Sequence, residues 1–325
     1  MKRRIDMAAL VEISGLKKYF NTSGGLLHAV DDINMKFEEG TTMGVVGESG
    51  CGKSTLGRTI IHLQEPTGGR MFYKGKDITK VNSLQLAELR KEMQIIFQDP
   101  FSSLNPRFTV EDTLKEVLLR SGDVTRKTLS GEIERLMDLV GISQRLRMAY
   151  PHEMDGGRRQ RVAIGRALAI NPKFIVCDEP VSALDVSIQA QVLNLLKDLQ
   201  SEYKLTYMFV THDLSVVRFI SDHISVMYLG QLVETSGSKE LFAKPIHPYT
   251  KALLSAIPVA NVHKERKRII LKGELSNPVN PKPGCRFAPR CPYAQEECGR
   301  PQELKEIMPG HFVSCCRAAE LNGDF

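Results

Sequence analysis

Apolar positions along the first hundred residues come in short clusters divided by polar turns. VEIS (11–14), INMKF (33–37) and TMGVV (42–46) carry strand-type residues and predict three strands. From Lys53 the spacing changes: KSTLGRTIIHL puts its apolar residues on one face of a helix. Residues 110–120 and 131–140 (GEIERLMDLV) keep the same period. FIVC (174–177) is a short buried-strand pattern. A helix pattern follows at 187–200, then the strand YMFVT (207–211) and a further helix and strand to about 235. Strands alternating with helices predict an α/β layer built on a parallel sheet. The helix-rich stretch at about 99–168 interrupts that alternation as an insertion. Beyond about 244 proline, basic residues and then cysteine take over. Residues 244–325 are therefore expected to form an appendage on a domain of residues 1–243.

Composition narrows the class. With 325 residues, 42% hydrophobic and 25% charged, the chain can bury a sizeable core, which excludes disordered, collagenous and disulfide-scaffold proteins. No apolar run approaches the roughly 20 residues that span a bilayer. The segment MKRRIDMAALVEIS lacks the apolar stretch of a secretory signal, so a cytosolic location is expected. A net charge of +6 permits contact with anions or a membrane surface and demands neither. The basic run KERKR (264–268) is expected to be a solvated face. Of seven cysteines, Cys51 and Cys177 are isolated, while Cys285, Cys291, Cys298, Cys315 and Cys316 crowd the end of the chain. In a reducing compartment such a cluster suggests metal more than disulfides.

The first constellation with chemistry is GESGCGKST: Gly47, Glu48, Ser49, Gly50, Cys51, Gly52, Lys53, Ser54 and Thr55. It follows an apolar strand and opens a helix, the context a phosphate-binding loop requires. Its glycines let backbone N–H groups converge on phosphates where side chains would collide. Lys53 adds a charge for the β- and γ-phosphates, and Ser54 a hydroxyl for Mg²⁺. FIVCDEP (174–180) completes the site: an apolar strand delivers Asp178 to its tip for Mg²⁺, and Glu179 can take a proton from the attacking water. Together these imply hydrolysis of a nucleoside triphosphate.

With these two motifs in order, the chain resembles the nucleotide-binding subunits of ABC transporters over roughly residues 8–235. Gln98, in IIFQDP, matches the glutamine of the Q-loop; YPHEMDGGRRQR (150–161) stands at the signature motif; SALD (182–185) matches the D-loop with Asp185; and His212, in FVTHD, matches the switch histidine. Tyr19, in LKKYF, stands where these proteins stack an aromatic on adenine, with Phe20 the alternative. The resemblance implies a P-loop NTPase core of ABC type, with an antiparallel β subdomain and the inserted helical subdomain. It also implies ATP and Mg²⁺ as ligands, with Gln98 touching Mg²⁺ or water, His212 bonding the γ-phosphate and Asp185 ordering a dimer seam.

The signature departs from the family's LSGGQ. It reads Met154, Asp155, Gly156, Gly157, Arg158. In these proteins two subunits face head to tail, and each signature donates to the partner's γ-phosphate. Asp155 replaces a donor by an acceptor-only carboxylate. Arg158 can pair with it and offset part of the repulsion. The expectation is a heterodimer with a second ABC ATPase, in which this chain completes one strong site and one weak one.

A finer resemblance is to the oligopeptide/dipeptide importer ATPases, carried by IIFQDPFSSLNPR (95–107), YPHE (150–153), HPYTKALLSAIP (247–258) and GCRFAPRCPYAQEEC…HFVSC. It implies two transmembrane permease subunits as partners, an extracytoplasmic substrate-binding protein indirectly, no nucleic acid, and a peripheral place on the cytoplasmic face of the membrane. The branch also includes importers of nickel and other small solutes. A soluble ABC ATPase and a metal or redox sensor are the competing classes; the intact Glu179 and His212 argue against the sensor. Four thiolates, Cys285, Cys291, Cys298 and Cys315, suit a 4Fe–4S cluster or tetrahedral zinc. The wide spacing, and the cluster carried by related subunits, favour iron–sulfur, with Cys316 and His311 as alternative ligands; unmetallated thiols are the third reading. On this reading the metal folds the tail, and chelation leaves nucleotide binding nearly intact.

Overall fold

A computed structural model of the chain describes residues 9–122, 124–257, 269–271, 273 and 278–323. The basic run at 264–268 lies outside the described residues. In chain order the first elements are β1 (Ala9–Thr22), β2 (Gly25–Glu38), β3 (Thr42–Val46), α1 (Lys53–Ile60), β4 (Gly68–Tyr73), β5 (Lys76–Asp77), α2 (Ser83–Glu92) and β6 (Met93–Ile96). Then come α3 (Pro100–Ser103), α4 (Val110–Ser121), α5 (Leu129–Leu139), α6 (Gly156–Leu168), β7 (Phe174–Asp178), α7 (Val186–Tyr203) and β8 (Thr206–Thr211). The chain continues through α8 (Leu214–Ile220), β9 (His223–Tyr228), β10 (Gln231–Gly237), α9 (Ser238–Ala243), α10 (Pro248–Ser255), β11 (Lys305–Met308), β12 (His311–Val313) and α11 (Ala318–Asn322).

The chain divides into two compact units. Among the described residues, one takes 9–37, 42–79 and those from 209 onward; the other takes 38–41 and those of 80–208. The first unit holds an antiparallel sheet in the order β2-β1-β4-β5 and a second run of strands in the order β11-β12-β10-β9-β3. β3 pairs in parallel with β9, Val46 opposite Val226, and every residue of β3 is buried. A parallel strand covered on both faces must be apolar throughout, which is why TMGVV is legible as a strand. The core here joins Val46, Val226 and Tyr228 with Tyr249 and Phe287, so residues far along the chain pack with β3. Glu234, fully buried on β10, fastens the later segments. It accepts from the backbone N–H groups of Ile246 and His247 at 2.8 and 2.9 Å, and lies 2.7 Å from His311 Nε2.

The second unit pairs β6 with β7 in parallel, again with every residue of β7 buried. Its helices pack through Leu114 and Leu118 of α4, Ile133, Leu136 and Met137 of α5, and Ile164 of α6, all buried. Thr109 and Asp112 form a reciprocal capping box at the start of α4, satisfying N–H groups that would otherwise have no partner. The expected α/β core with an antiparallel sheet and a helical segment is present. VEIS and INMKF, however, are only parts of two fourteen-residue strands. No helix among the described residues is long and apolar enough to cross a membrane.

Candidate active site

In the first unit, β3 runs into the loop 47–55 and then into α1. Gly52 caps α1 at φ 103°, where a Cβ would stand 1.9 Å from the Ala29 carbonyl oxygen; a Cβ at Gly47 would stand 2.1 Å from that of Met227. Only glycine fits either place. Lys53 is 4% exposed, and its Nζ donates to the Gly47 and Glu48 carbonyls at 2.9 and 3.0 Å. The ammonium is thus held inside the loop that would receive the phosphates. Cys51 is buried beneath it, and burial raises its thiol pKa above the ordinary value. That fits packing rather than a reactive thiol.

Tyr19, on β1, stacks on His28 with ring centroids 3.9 Å apart, and its hydroxyl donates to Asp31. Burial and the Asp31 carboxylate push the phenol well up. Burial also pushes Asp31 up, but the Tyr19 hydroxyl, Arg286 and His28 outweigh it and hold the carboxyl below its usual range. His212 follows β8 and is exposed.

In the second unit, Gln98 Nε2 donates to Glu179 Oε2 at 3.2 Å, bringing together the two residues expected to attend the attacking water. Asp178, at the tip of β7, is 1% exposed. Glu179 has φ 48°, a left-handed conformation that is uncommon for a residue with a side chain and clusters at functional positions. Asp185 caps α7. Asp155 accepts from Arg158 N–H at 2.8 Å at the start of α6, and Arg158 Nε lies 3.4 Å from its second oxygen. The carboxylate therefore serves as an N-cap partly neutralised by its own helix. Gly157 is constrained as well, since a Cβ there would meet Ile188 at 2.4 Å.

The five late cysteines, Cys285, Cys291, Cys298, Cys315 and Cys316, lie in the first unit. Cys298 and Cys316 sulfurs are 3.9 Å apart. Burial, then neighbouring thiols, raise Cys285 and Cys315 to about 11. All are free thiols. Among the described residues, no three of His, Cys, Asp and Glu converge closely enough to hold a metal ion. The all-thiol donor set suits a thiolate-bound group in its chemistry, but the expected iron–sulfur centre gains no ligand geometry from this arrangement.

Sequence patterns miss how this lobe meets the nucleotide loop. Arg290 Nη1 and Nη2 lie 2.7 and 3.2 Å from the two carboxylate oxygens of Glu48, and Tyr249 Oη accepts from Glu48 N–H at 3.0 Å. Arg286 pairs with Asp31 and donates to the Leu229 carbonyl. Nothing in the local sequence marks these arginines beyond their places beside Cys285 and Cys291.

The glycine loop with its buried lysine in the first unit, and the acid-tipped strand in the second, are each elements of a P-loop ATPase of the ABC kind. The ABC transporter family profile matches residues 30–182, and that of the oligopeptide/dipeptide transporter C-terminal region matches residues 233–298. The chain is 49% identical over 321 residues to the oligopeptide transport ATP-binding protein AppF of Bacillus subtilis (95% of this chain, 98% of that protein) and 47% identical to OppF of the same organism (95% and 97%). It is 44% identical to a putative peptide import ATP-binding protein of Brucella ovis (95% and 98%). The ATP-binding cassette MJ0796, solved as a dimer bound to ADP and phosphate, superposes with a TM-score of 0.63 at 28% identity over 70% of this chain and 98% of that one. The chain belongs to the ABC transporter ATP-binding proteins of the oligopeptide/dipeptide type.

Proposed function

We propose that this chain hydrolyses ATP to energise a membrane importer of di- or oligopeptides. The observation that carries this is likeness along nearly the whole chain to oligopeptide transport ATP-binding proteins, together with the match of residues 233–298 to their C-terminal region. The loop 47–55 holds the phosphates, Lys53 carries the neutralising charge, and Ser54, Gln98 and Asp178 attend Mg²⁺. Glu179 takes the water's proton, His212 orients the γ-phosphate, and Tyr19 stacks on adenine. Asp155, Gly156 and Gly157 face the nucleotide of a second ATPase across the head-to-tail dimer, with Asp185 at the seam. Residues 1–243 form the ATPase domain and 244–325 the family extension. Two permeases complete the assembly at the cytoplasmic face, and an extracytoplasmic binding protein delivers cargo.

The partner ATPase is a different chain. Asp155 places an acceptor where a donor is expected, so the site built on this chain's own loop and Glu179 carries turnover, and the opposite site is weak. Glu179→Gln in the assembled complex should then lower turnover at least a hundredfold; turnover near wild type would sink the asymmetry. The cysteine lobe holds a 4Fe–4S cluster, with zinc the alternative. Iron and sulfide analysis of anaerobically purified protein decides between them, and absence of both iron and zinc removes the assignment. The function is tested by pull-down from detergent-solubilised membranes. Two polytopic permeases and a second ATPase should accompany the chain; recovery with ribosomes or DNA would favour the soluble class of ABC ATPase.

A further inference from the structure

Glu48 sets a carboxylate inside the loop that, on the function proposed above, receives a polyanion. Left alone it would repel the phosphates, most strongly where water is excluded. It is not left alone. Arg290 grips both its oxygens in a two-point fork, with the arginine side chain 10% exposed and the glutamate 23%. Tyr228 steadies the guanidinium from its hydroxyl, 3.4 Å from Nη1. The backbone of Glu48 is fixed too: its N–H donates to Tyr249 Oη, and its carbonyl accepts from Lys53 Nζ. Four residues before Arg290, Arg286 pairs with the Asp31 carboxylate that holds the Tyr19 hydroxyl. The short segment CRFAPRC (285–291) therefore reaches both ends of the nucleotide site, the phosphate loop through Arg290 and the adenine side through Arg286.

We propose that Arg290 is a positioning residue of the nucleotide site: it neutralises Glu48 and fixes the phosphate loop, so the segment between Cys285 and Cys291 sets the affinity for nucleotide. Arg290 touches no nucleotide in this scheme and acts through Glu48. The penalty for removing it grows with the charge of the ligand, because the exposed fault is an unpaired carboxylate. A geometric fork matters as well as charge, since lysine offers only a point charge.

The test is equilibrium binding of mant-ATP and mant-ADP, with Mg²⁺, to the purified full-length chain. Arg290→Gln should weaken mant-ATP about tenfold and mant-ADP less, and Arg290→Lys should recover part of the loss. The double variant Glu48→Gln/Arg290→Gln should recover most of it, because no carboxylate remains to be neutralised. Equal affinity in wild type and Arg290→Gln would overturn the proposal. So would a loss that is the same for both nucleotides and persists in the double variant, which would mark a purely structural role. The double variant leaves no unpaired buried charge, so it keeps the test open if Arg290→Gln alone fails to fold. Failure of the wild type to bind mant-ATP would instead refute the function proposed above.

Discussion

Phe287 lies between Cys285 and Cys291, yet it sits in the core under the phosphate loop. It is 1% exposed and packs edge-on to Tyr228 with centroids 5.3 Å apart at 85°, and obliquely to Tyr249 at 5.3 Å and His247 at 5.7 Å. Removing the ring leaves a cavity that three neighbouring rings cannot close. A buried Phe→Ala change costs about 3–5 kcal/mol, including the loss of ring–ring contacts worth roughly 0.5–1.5 kcal/mol each. For a protein of this size that is a fall in Tm of about 4–7 °C. Phe287→Leu keeps most of the volume and should cost under about 1.5 kcal/mol. The effect should also reach the loop, since Tyr249 supports Glu48 and Cys51 is buried beside Lys53. Thermal unfolding by circular dichroism gives the stability. Maleimide labelling of Cys51, read by mass spectrometry, gives the local opening below the melting point. If Phe287→Ala melts within 1 °C of wild type and leaves Cys51 protected, the cysteine lobe is an appendage and the packing argument fails.

Other outcomes follow from the same geometry. Gly52→Ala should be far more damaging than Gly50→Ala. The first drives a Cβ to 1.9 Å from a carbonyl oxygen, whereas the second meets nothing within 4 Å and bears only backbone strain of about 1–2 kcal/mol; melting curves of both variants compare them. His247 is depressed to about 4 by burial, against an upward pull from Glu234, and its neutral Nδ1 accepts from Tyr249 N–H. The folded chain then binds fewer protons than the unfolded one between pH 4 and 6.5, so stability present above pH 6.5 is lost as pH falls to 4. The loss is about 3 kcal/mol, and urea titrations across that range should show a slope that His247→Asn removes. Asp155→Ser keeps the N-cap of α6 and removes the carboxylate. It should leave the melting temperature within about 2 °C while raising ATP turnover of the assembled complex.

Motifs whose chemistry is local in sequence were legible. The loop 47–55, Asp178 with Glu179, and TMGVV each declare themselves within ten residues, because a buried parallel strand is apolar throughout and a phosphate loop needs glycine at fixed offsets. The sequence pattern marks only parts of β1 and β2, because only their buried ends alternate clearly; the stretch around Lys17–Phe20 is half exposed and its pattern fades. Asp155 looked like a charge fault, and the structure adds that it is also a helix cap. The arginines of 285–291 could not be seen. Their partners Asp31 and Glu48 lie more than two hundred residues earlier, and a long-range ion pair leaves no periodic trace. The same pairs tie the late lobe to the phosphate loop, since Arg290 carries the counterion of Glu48.

On the function proposed, this chain turns ATP hydrolysis into transport. ATP turnover by the complete complex in lipid nanodiscs, measured with and without its peptide-loaded binding protein, tests it most directly. Turnover should be stimulated by the loaded binding protein and abolished by Lys53→Ala. Turnover indifferent to the binding protein, or undiminished by Lys53→Ala, would contradict it.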